Sequence, residues 1–450
     1  MERVLVANRG EIAVRVIRAA HELGLEAVAV YSTADEGALH TRLADRAVRV
    51  GPPPARQSYL SIPSIIAAAT TTGCDAVHPG YGFLAENPAF VHACEENGLA
   101  FVGPGADVMA RMGDKAQAKA EMRAAGVPLV PGSAGPVSYE DALAVSAQLG
   151  FPVLLKAAAG GGGRGMRLVE SPDELSDAYA QAASEAQAAF GDGSLYVEKA
   201  VSPARHVEIQ VLCDAHGVLT LGERECSIQR RHQKLIEESP SPALDPATRE
   251  EMEATAERAC GALGYRNAGT FEFLVDPSGS FYFIELNARL QVEHPVTELV
   301  TQIDLVRQQL RVASGDALPL VGRAPRSGHA IEIRINAEDP TRGFAPSPGL
   351  IEHWRPPLGP GVRVDTFVEE GWRISPHYDS LLAKLVVWDE SRPAAIERAL
   401  RALRELEVRG VPTTRDAAID ILSSPEFRSG EYSTGFIEGA GARLPALAGA

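Results

Sequence analysis

Residues 4–7 form an unbroken apolar run, Val-Leu-Val-Ala, and the stretch that follows carries Ile12, Val16, Ala19, Ala20 and Leu23 at three- and four-residue spacing before Gly24. A short apolar run followed by helical spacing predicts a buried strand feeding an amphipathic helix. A second apolar run at 27–31 predicts the next strand, and the same pattern recurs at 62–69, 76–77, 90–96 and 100–102. Residues 1–112 therefore predict a small doubly wound parallel sheet.

From 113 to 150 the pattern is helical, with one helix over 115–125 closed by Gly126 and Pro128. It then changes to a strand at 151–157 that runs into glycines, and another at 166–170. Ser171-Pro172-Asp173-Glu174 is a capping box with Pro at the first helical position, starting a helix over 175–190. Strands are predicted at 195–198, 207–212 and 218–221, giving a compact α+β unit over about 130–201. Beyond 327 the pattern predicts strands at 330–335, 362–367 and 381–387 and a helix over 393–407. Residues 443–450 read as a frayed tail.

A length of 450 residues suits two to four domains. Lys and Arg total 43 against 59 acidic residues, a formal charge of −16, which excludes broad electrostatic binding of nucleic acid or anionic lipid. A polyanionic ligand needs a local cationic cluster. The five cysteines, 74, 94, 213, 226 and 260, are widely spaced and fit neither a disulfide framework nor a tetrathiolate zinc site. No run approaches the ~18 apolar residues of a membrane span, so a cytoplasmic protein without a membrane partner is expected.

Gly160, Gly162 and Gly165 formally match the dinucleotide fingerprint, but a strand pattern follows where that motif needs a helix. What remains is strand, glycine loop, strand, with Lys156 closing the first strand. Such a loop either lays backbone N–H groups over phosphates beside a lysine or is an exposed surface hairpin. No P-loop motif occurs. Residues 223–234 gather Arg224, Arg230, Arg231 and Lys234 in an acidic chain, which reads as an anion pocket or as a solvated loop; Cys226 and His232 are too few for a metal site.

Residues 269–276 and 280–285 alternate like strands joined by Asp276-Pro277-Ser278-Gly279. A four-residue loop pairs Val275 with Ser280, Glu272 with Phe283 and Thr270 with Glu285. Glu272 and Glu285 then share a face as diagonal neighbours, with Phe271, Phe273, Tyr282 and Ile284 on the other. Two like charges so placed call for a cation, and carboxylate oxygens suit Mg²⁺. A one-residue slip would separate them. Beyond, Glu285, Asn287, Arg289, Gln291 and Glu293 alternate with Leu286, Ala288, Leu290 and Val292, five polar groups aimed one way.

With these residues in place the chain resembles the biotin carboxylases of the ATP-grasp superfamily. The resemblance rests on Ala7-Asn-Arg-Gly-Glu-Ile-Ala, His78-Pro-Gly-Tyr-Gly-Phe-Leu, Met112-Gly-Asp-Lys115, Lys156 with its glycine loop, Arg205-His206-Val-Glu-Ile-Gln, 226–234, 285–295 and Arg334-Ile-Asn-Ala-Glu-Asp-Pro. These motifs occur in order over about 1–440. The resemblance implies a three-part α/β and α+β fold: a pre-ATP-grasp domain (1–112), an ATP-grasp domain (113–326) with a lid at about 130–201, and a C-terminal biotin carboxylase domain (327–442).

It further implies ATP phosphates held by Lys115, Lys156, His206 and the loop glycines Gly160, Gly161, Gly162 and Gly163, the adenine met by Glu198, Lys199 and Val201, and Gln229, His232 and Leu274 also binding ATP. Glu272, Glu285 and Asn287 match the metal ligands for Mg²⁺ or Mn²⁺, two ions in all. Lys234, Arg289, Gln291, Val292 and Glu293 match a bicarbonate pocket, with Glu293 as base, Arg289 and Lys234 as catalytic cations, and Tyr81, Arg289 and Arg334 facing biotin. The implied reaction is ATP- and bicarbonate-dependent carboxylation of biotin N1′ through carboxyphosphate.

Biotin would be borne on a separate carrier protein, since no Met-Lys-Met biotinylation motif occurs here, and a carboxyltransferase would complete an acetyl-CoA or other acyl-CoA carboxylase. Pyruvate or urea as final acceptor, a catalytically silent ATP-grasp sensor, and a carboxylate–amine ligase are the alternatives. Two departures stand out. Ala158-Ala159 replaces a small polar residue and a glycine in the lid, and Pro360 stands for an aromatic beside Arg18, Glu22 and Arg363 on the family's homodimer surface.

Overall fold

The computed structural model describes residues 1–158, 166–440, 444 and 446. The glycines expected over phosphates, Gly160, Gly161, Gly162 and Gly163, fall outside them, as does Ala159.

The N-terminal part is the doubly wound sheet the pattern predicts. Strands β1 (Arg3–Val6), β2 (Glu26–Ser32), β3 (Arg46–Gly51), β4 (Ala76–His78) and β5 (Ala100–Phe101) are parallel in the order β3-β2-β1-β4-β5. The edge strand β3 is missing from the sequence reading because Arg46, Ala47 and Arg49 are exposed, so it lacks a continuous apolar run. Helix α1 (Gly10–Glu22) buries Ile12, Val16, Ile17, Ala19 and Ala20 against this sheet. The same core continues into Leu212, Leu219, Leu221 and Leu290, which fastens the N-terminal part to the central sheet.

That central sheet is antiparallel along its main path. It runs from β13 (Phe281–Asn287) through β12 (Asn267–Val275), β9 (Arg205–Cys213), β10 (Val218–Arg230) and β11 (Gln233–Ser239), then through His329–Asn336 and Leu381–Asp389 to Val362–Thr366. Strand β11 pairs directly with His329–Asn336, so the expected division near residue 327 does not separate two sheets: one hydrogen-bonded sheet runs across it. Nor is the segment 223–234 a solvated loop: β10 extends through it to Arg230, and Arg224 is fully buried.

The lid is a separate body. Strands β6 (Val153–Ala157), β7 (Met166–Val169) and β8 (Leu195–Lys199) form their own sheet under the helices Tyr139–Leu149 and Leu175–Phe190. Val153, Leu155, Val169, Leu175, Leu195 and Val197 make a core of their own. An element with its own core can move as one piece over the central sheet. At the helix start, Ser171 donates to Glu174 across 3.1 Å, and Glu174 accepts from the Glu170 amide across 3.2 Å; the first turn is 3₁₀.

The β12–β13 hairpin corrects the expected register. Its loop is one residue longer, with the Asp276 amide bonded to the Ser280 carbonyl, so Val275 faces Phe281 rather than Ser280. Alone, that slip would send Glu285 to the far face. An irregularity between Phe283 and Glu285 adds one residue and cancels it, setting Glu272 directly opposite Glu285 and Thr270 opposite Asn287. The buried face is therefore Phe271, Phe273, Phe281 and Phe283; Phe273 meets Phe281 edge-on at 5.5 Å. Tyr282 and Ile284, expected on that face, are only half-buried.

Candidate active site

The three parts meet around one cleft of about 1650 Å³. Its wall includes Tyr81 from the N-terminal sheet, Lys115 from the helix Lys115–Ala124, and Lys156, Glu198 and Val201 from the lid. The central sheet contributes His206, Gln229, His232, Lys234, Glu272, Leu274, Glu285 and Asn287; the chain after β13 adds Arg289, Gln291 and Val292, and the next strand adds Arg334. Two expected residues behave differently. The Lys199 ammonium ties down the Gly150 and Phe151 carbonyls at 2.9 and 3.3 Å and lines no part of the cleft. Glu293 lies beneath the floor, without solvent exposure.

At the lid end, Lys119 and Lys156 both grip Glu198. Burial pushes this carboxyl up, but the two lysines outweigh it and hold it low. Lys115 stands in the same cationic group; burial pulls its ammonium down against the attraction of Glu285. Lys119 was not singled out in the sequence, although it lies one helical turn after Lys115 and so shares its face.

In the middle lie the paired carboxylates. Glu272 Oε1 accepts from Asn287 Nδ2 and Gln291 Nε2, each at 2.9 Å, and from Lys234 at 3.1 Å. Glu272 Oε2 lies 3.0 Å from His206 Nε2, an ion-pair distance without hydrogen-bond alignment. Burial opposes ionisation of Glu272, yet Lys234 and His206 hold it far below the usual carboxylate range. Glu285 opens onto the cleft with walls on most sides. There burial, then Glu272 and Glu86, push its carboxyl up. An anion raised by its anionic neighbour, beside Asn287 with its Oδ1 toward Arg289 at 3.0 Å, is an oxygen-donor set that a hard divalent cation would stabilise.

At the deep end, Lys234 Nζ reaches Glu208 at 2.7 Å, Glu272 at 3.1 Å and Glu293 at 2.5 Å. It is aimed there by the tight β10–β11 turn, in which Arg231 and His232 both take left-handed φ angles of 47° and 65°. Non-glycine residues adopt that conformation at a cost of roughly 1–2 kcal/mol each, so the hairpin stores strain at the cleft's edge. Arg334 joins Glu237 at 2.7 Å and Glu293 at 2.9 Å. Against the penalty of burial, Lys234, Arg334 and Arg224 hold Glu293 well below the usual range.

Arg224, fully buried, bonds Glu208, Gln210, Thr297 and Thr270. Arg289 donates to Glu86 at 2.9 Å, Gln291 at 3.2 Å and Asn287. The Tyr81 hydroxyl bonds Glu11, and Lys384 reaches Glu11 at 3.1 Å and the Val292 carbonyl at 3.0 Å. Glu11, Glu86, Glu208, Glu237 and Lys384 thus support the site without having been singled out for it. Their partners lie tens to hundreds of positions away, and no local spacing joins them.

A cleft joining clustered lysines, a facing carboxylate pair and a caged glutamate can bind a nucleotide polyphosphate with a divalent cation and use one carboxylate as a base. The comparisons decide the family. Profiles described as "Biotin carboxylase, N-terminal domain", "Carbamoyl-phosphate synthase L chain, ATP binding domain" and "Biotin carboxylase C-terminal domain" match residues 1–109, 114–321 and 332–439. The biotin carboxylase of Nostoc sp. is 52% identical over 440 residues, covering 97% of this chain and 98% of that one.

The chain belongs to the biotin carboxylase family. Among solved structures, the biotin carboxylase of Campylobacter jejuni, described as a β,γ-ATP complex, is 48% identical with a TM-score of 0.93, over 97% of this chain and 98% of that one. The biotin carboxylase component of a pyruvate carboxylase is also 48% identical, with a TM-score of 0.86 over 98% of each chain. The activity of this chain is accordingly ATP-dependent carboxylation of biotin.

Of the residues expected at a dimer surface, Glu22 lies 3.6 Å from Arg307. Arg363 is bound within its own chain to Glu298 and Asp365, each at 2.7 Å. Among the described residues no helix is long and apolar enough to cross a membrane.

Proposed function

We propose that Glu293 is the base that deprotonates bicarbonate, that Lys115, Lys156 and His206 hold ATP phosphates, and that Glu272, Glu285 and Asn287 hold Mg²⁺ or Mn²⁺. The observation that carries this reading is the enclosure of Glu293 by Lys234 and Arg334 at 2.5 and 2.9 Å. A carboxylate so held stays ionised at neutral pH and has two cations beside it for an anionic substrate. Bicarbonate reaches Glu293 by taking over one of those hydrogen bonds, with Arg289 and Gln291 at its side. A divalent ion held by Glu272, Glu285 and Asn287 would neutralise charge on the phosphates.

Glu293 takes the bicarbonate proton as the bicarbonate oxygen attacks the γ-phosphorus and the bond to ADP breaks. Carboxyphosphate then releases CO₂ and phosphate; the phosphate accepts the biotin N1′ proton and the nitrogen takes up CO₂. Arg289, and Arg334 beside Tyr81, face the ureido oxygen as its charge grows. Closure of the lid over the nucleotide keeps water from carboxyphosphate. Glu198 acts in this reading as the anchor that holds Lys119 and Lys156 until phosphates replace it.

The biotin is supplied on a separate carrier chain, and a carboxyltransferase uses the product in an acetyl-CoA or other acyl-CoA carboxylase. The protein works as a homodimer in the cytoplasm. The test is ADP release from purified protein with free biotin. It should require bicarbonate and biotin together above a slow background; equal turnover with an amine and a carboxylic acid in place of biotin would refute the reading.

A further inference from the structure

Behind Arg334, away from the cleft, a carboxyl group has no role in the scheme above. Glu332 is two residues before Arg334 on His329–Asn336 and shares its face, while Ile331, Ile333 and Ile335 fill the opposite core. It has no solvent exposure, and neither of its oxygens finds a hydrogen-bond donor among the described residues. Directly across the ladder stands a second buried carboxylate, Glu237, one oxygen of which is likewise without a donor. Directly paired strand residues hold their Cβ atoms about 5 Å apart.

The cations around Glu332 are committed to other partners. On its own strand, Arg334 is shared between Glu237 and Glu293. On Leu381–Asp389, Val386 faces Glu332, and Lys384 is spent on Glu11 and the Val292 carbonyl. The helix His294–Thr301, packed over both strands, offers His294 and Glu298. Burial, then Lys384, keeps that histidine uncharged with its Nδ1 at the Gln291 carbonyl, while Glu298 is matched to Arg15 and Arg363. A second ionised carboxylate beside Glu237 would be a buried anion without a partner, which protein interiors avoid by protonation.

We propose that Glu332 is kept as a neutral carboxylic acid and that its neutrality holds Arg334 on Glu293 and Lys384 on the Val292 carbonyl, making it a positioning residue for the bicarbonate and biotin end of the cleft. Ionisation of Glu332 would present both cations with a competing anion at the rear and draw them from the site. Burial, and the charge on Glu237, both favour the protonated form. The functional half of the proposal rests on the roles given above to Glu293 and Arg334.

The test uses the full chain, as wild type and as Glu332→Gln, whose amide imitates the neutral acid, and Glu332→Ala. Infrared spectra near neutral pH should show in the wild type the carbonyl stretch of a protonated carboxylic acid, sensitive to deuteration and lost in Glu332→Gln. In turnover, kcat/KM for biotin in the wild type should fall at alkaline pH as that band disappears. Glu332→Gln should keep it within about twofold at neutral pH and move the fall upward by about one pH unit or more, while Glu332→Ala should lose about tenfold.

Absence of the band in the wild type, its persistence in Glu332→Gln, or superimposable pH profiles would overturn the proposal. Should Glu332→Gln not fold, titration of the wild-type band against the wild-type profile carries the test. The infrared signal needs no turnover. A protein with the band but without bicarbonate- and biotin-dependent ADP release would refute the functional reading and leave the protonated Glu332 standing.

Discussion

Glu285 and Glu293 are eight positions apart on one alternating stretch, and they meet opposite electrostatic fates. Glu285 stands at the cleft, where burial by the walls, then Glu272 across the ladder and Glu86 nearby, push its carboxyl up. Glu293 is sealed beneath the floor with Lys234 and Arg334 on its two oxygens and is driven down. The difference teaches how one strand extension serves two chemistries. A carboxylate short of positive charge suits a metal that arrives with the nucleotide, whereas one with cations built in stays ionised without any ligand and suits a base.

Removing the built-in cation should break this contrast most severely. Lys234→Met leaves Glu208, Glu272 and Glu293 close together without their common partner. Loss of one partner of a buried ion pair costs about 3–5 kcal/mol. Denaturant unfolding should show at least that loss, accompanied by proton uptake and by loss of biotin carboxylation. A stable variant with unchanged proton count would mean that the cage is not electrostatic.

A buried carboxylate outside the cleft calibrates that expectation. Burial would raise Glu238, but hydrogen bonds from His329 and Arg392 hold it at about 2. A depressed folded value contributes stability above the ordinary 4.5 that is lost as pH falls toward about 2. Glu238→Gln should therefore cost roughly 3 kcal/mol at neutral pH and flatten the acid limb of the stability curve. An unchanged acid limb would show that Glu238 is not held low.

The smallest effect on the free protein belongs to Glu285. Glu285→Gln removes one of two repelling anions, so stability without ligands should change by less than about 1 kcal/mol, in the favourable direction. The added Tm shift that Mg²⁺ gives to ATP should shrink toward the shift from ATP alone. A marked loss of ligand-free stability would place Glu285 in the structural network with Glu272.

Much of this was legible in the sequence because it is local. The β1–α1 unit and the 175–190 helix carry their own periodicity and end signals, and the polar alternation from Glu285 to Gln291 keeps its direction even though β13 ends at Asn287. What escaped depends on partners distant in sequence. Residues 223–230 resemble a charged loop until Glu208, Gln210, Thr270 and Thr297 close around Arg224. The Glu272–Glu285 pairing came out on one face only because a longer turn and an irregular residue offset one another, and neither is written in a two-residue period. Glu332 was invisible for the same reason, since its meaning lies in Glu237 across the ladder.

The division between a base that brings its own cations and a metal site that awaits one is tested most directly by Glu293→Gln at saturating MgATP, following nucleotide affinity and biotin carboxylation in the same preparation. MgATP affinity should stay within about twofold of wild type while carboxylation falls by ~10²–10⁴-fold. Retained carboxylation, or parallel loss of MgATP binding in a folded protein, would contradict it.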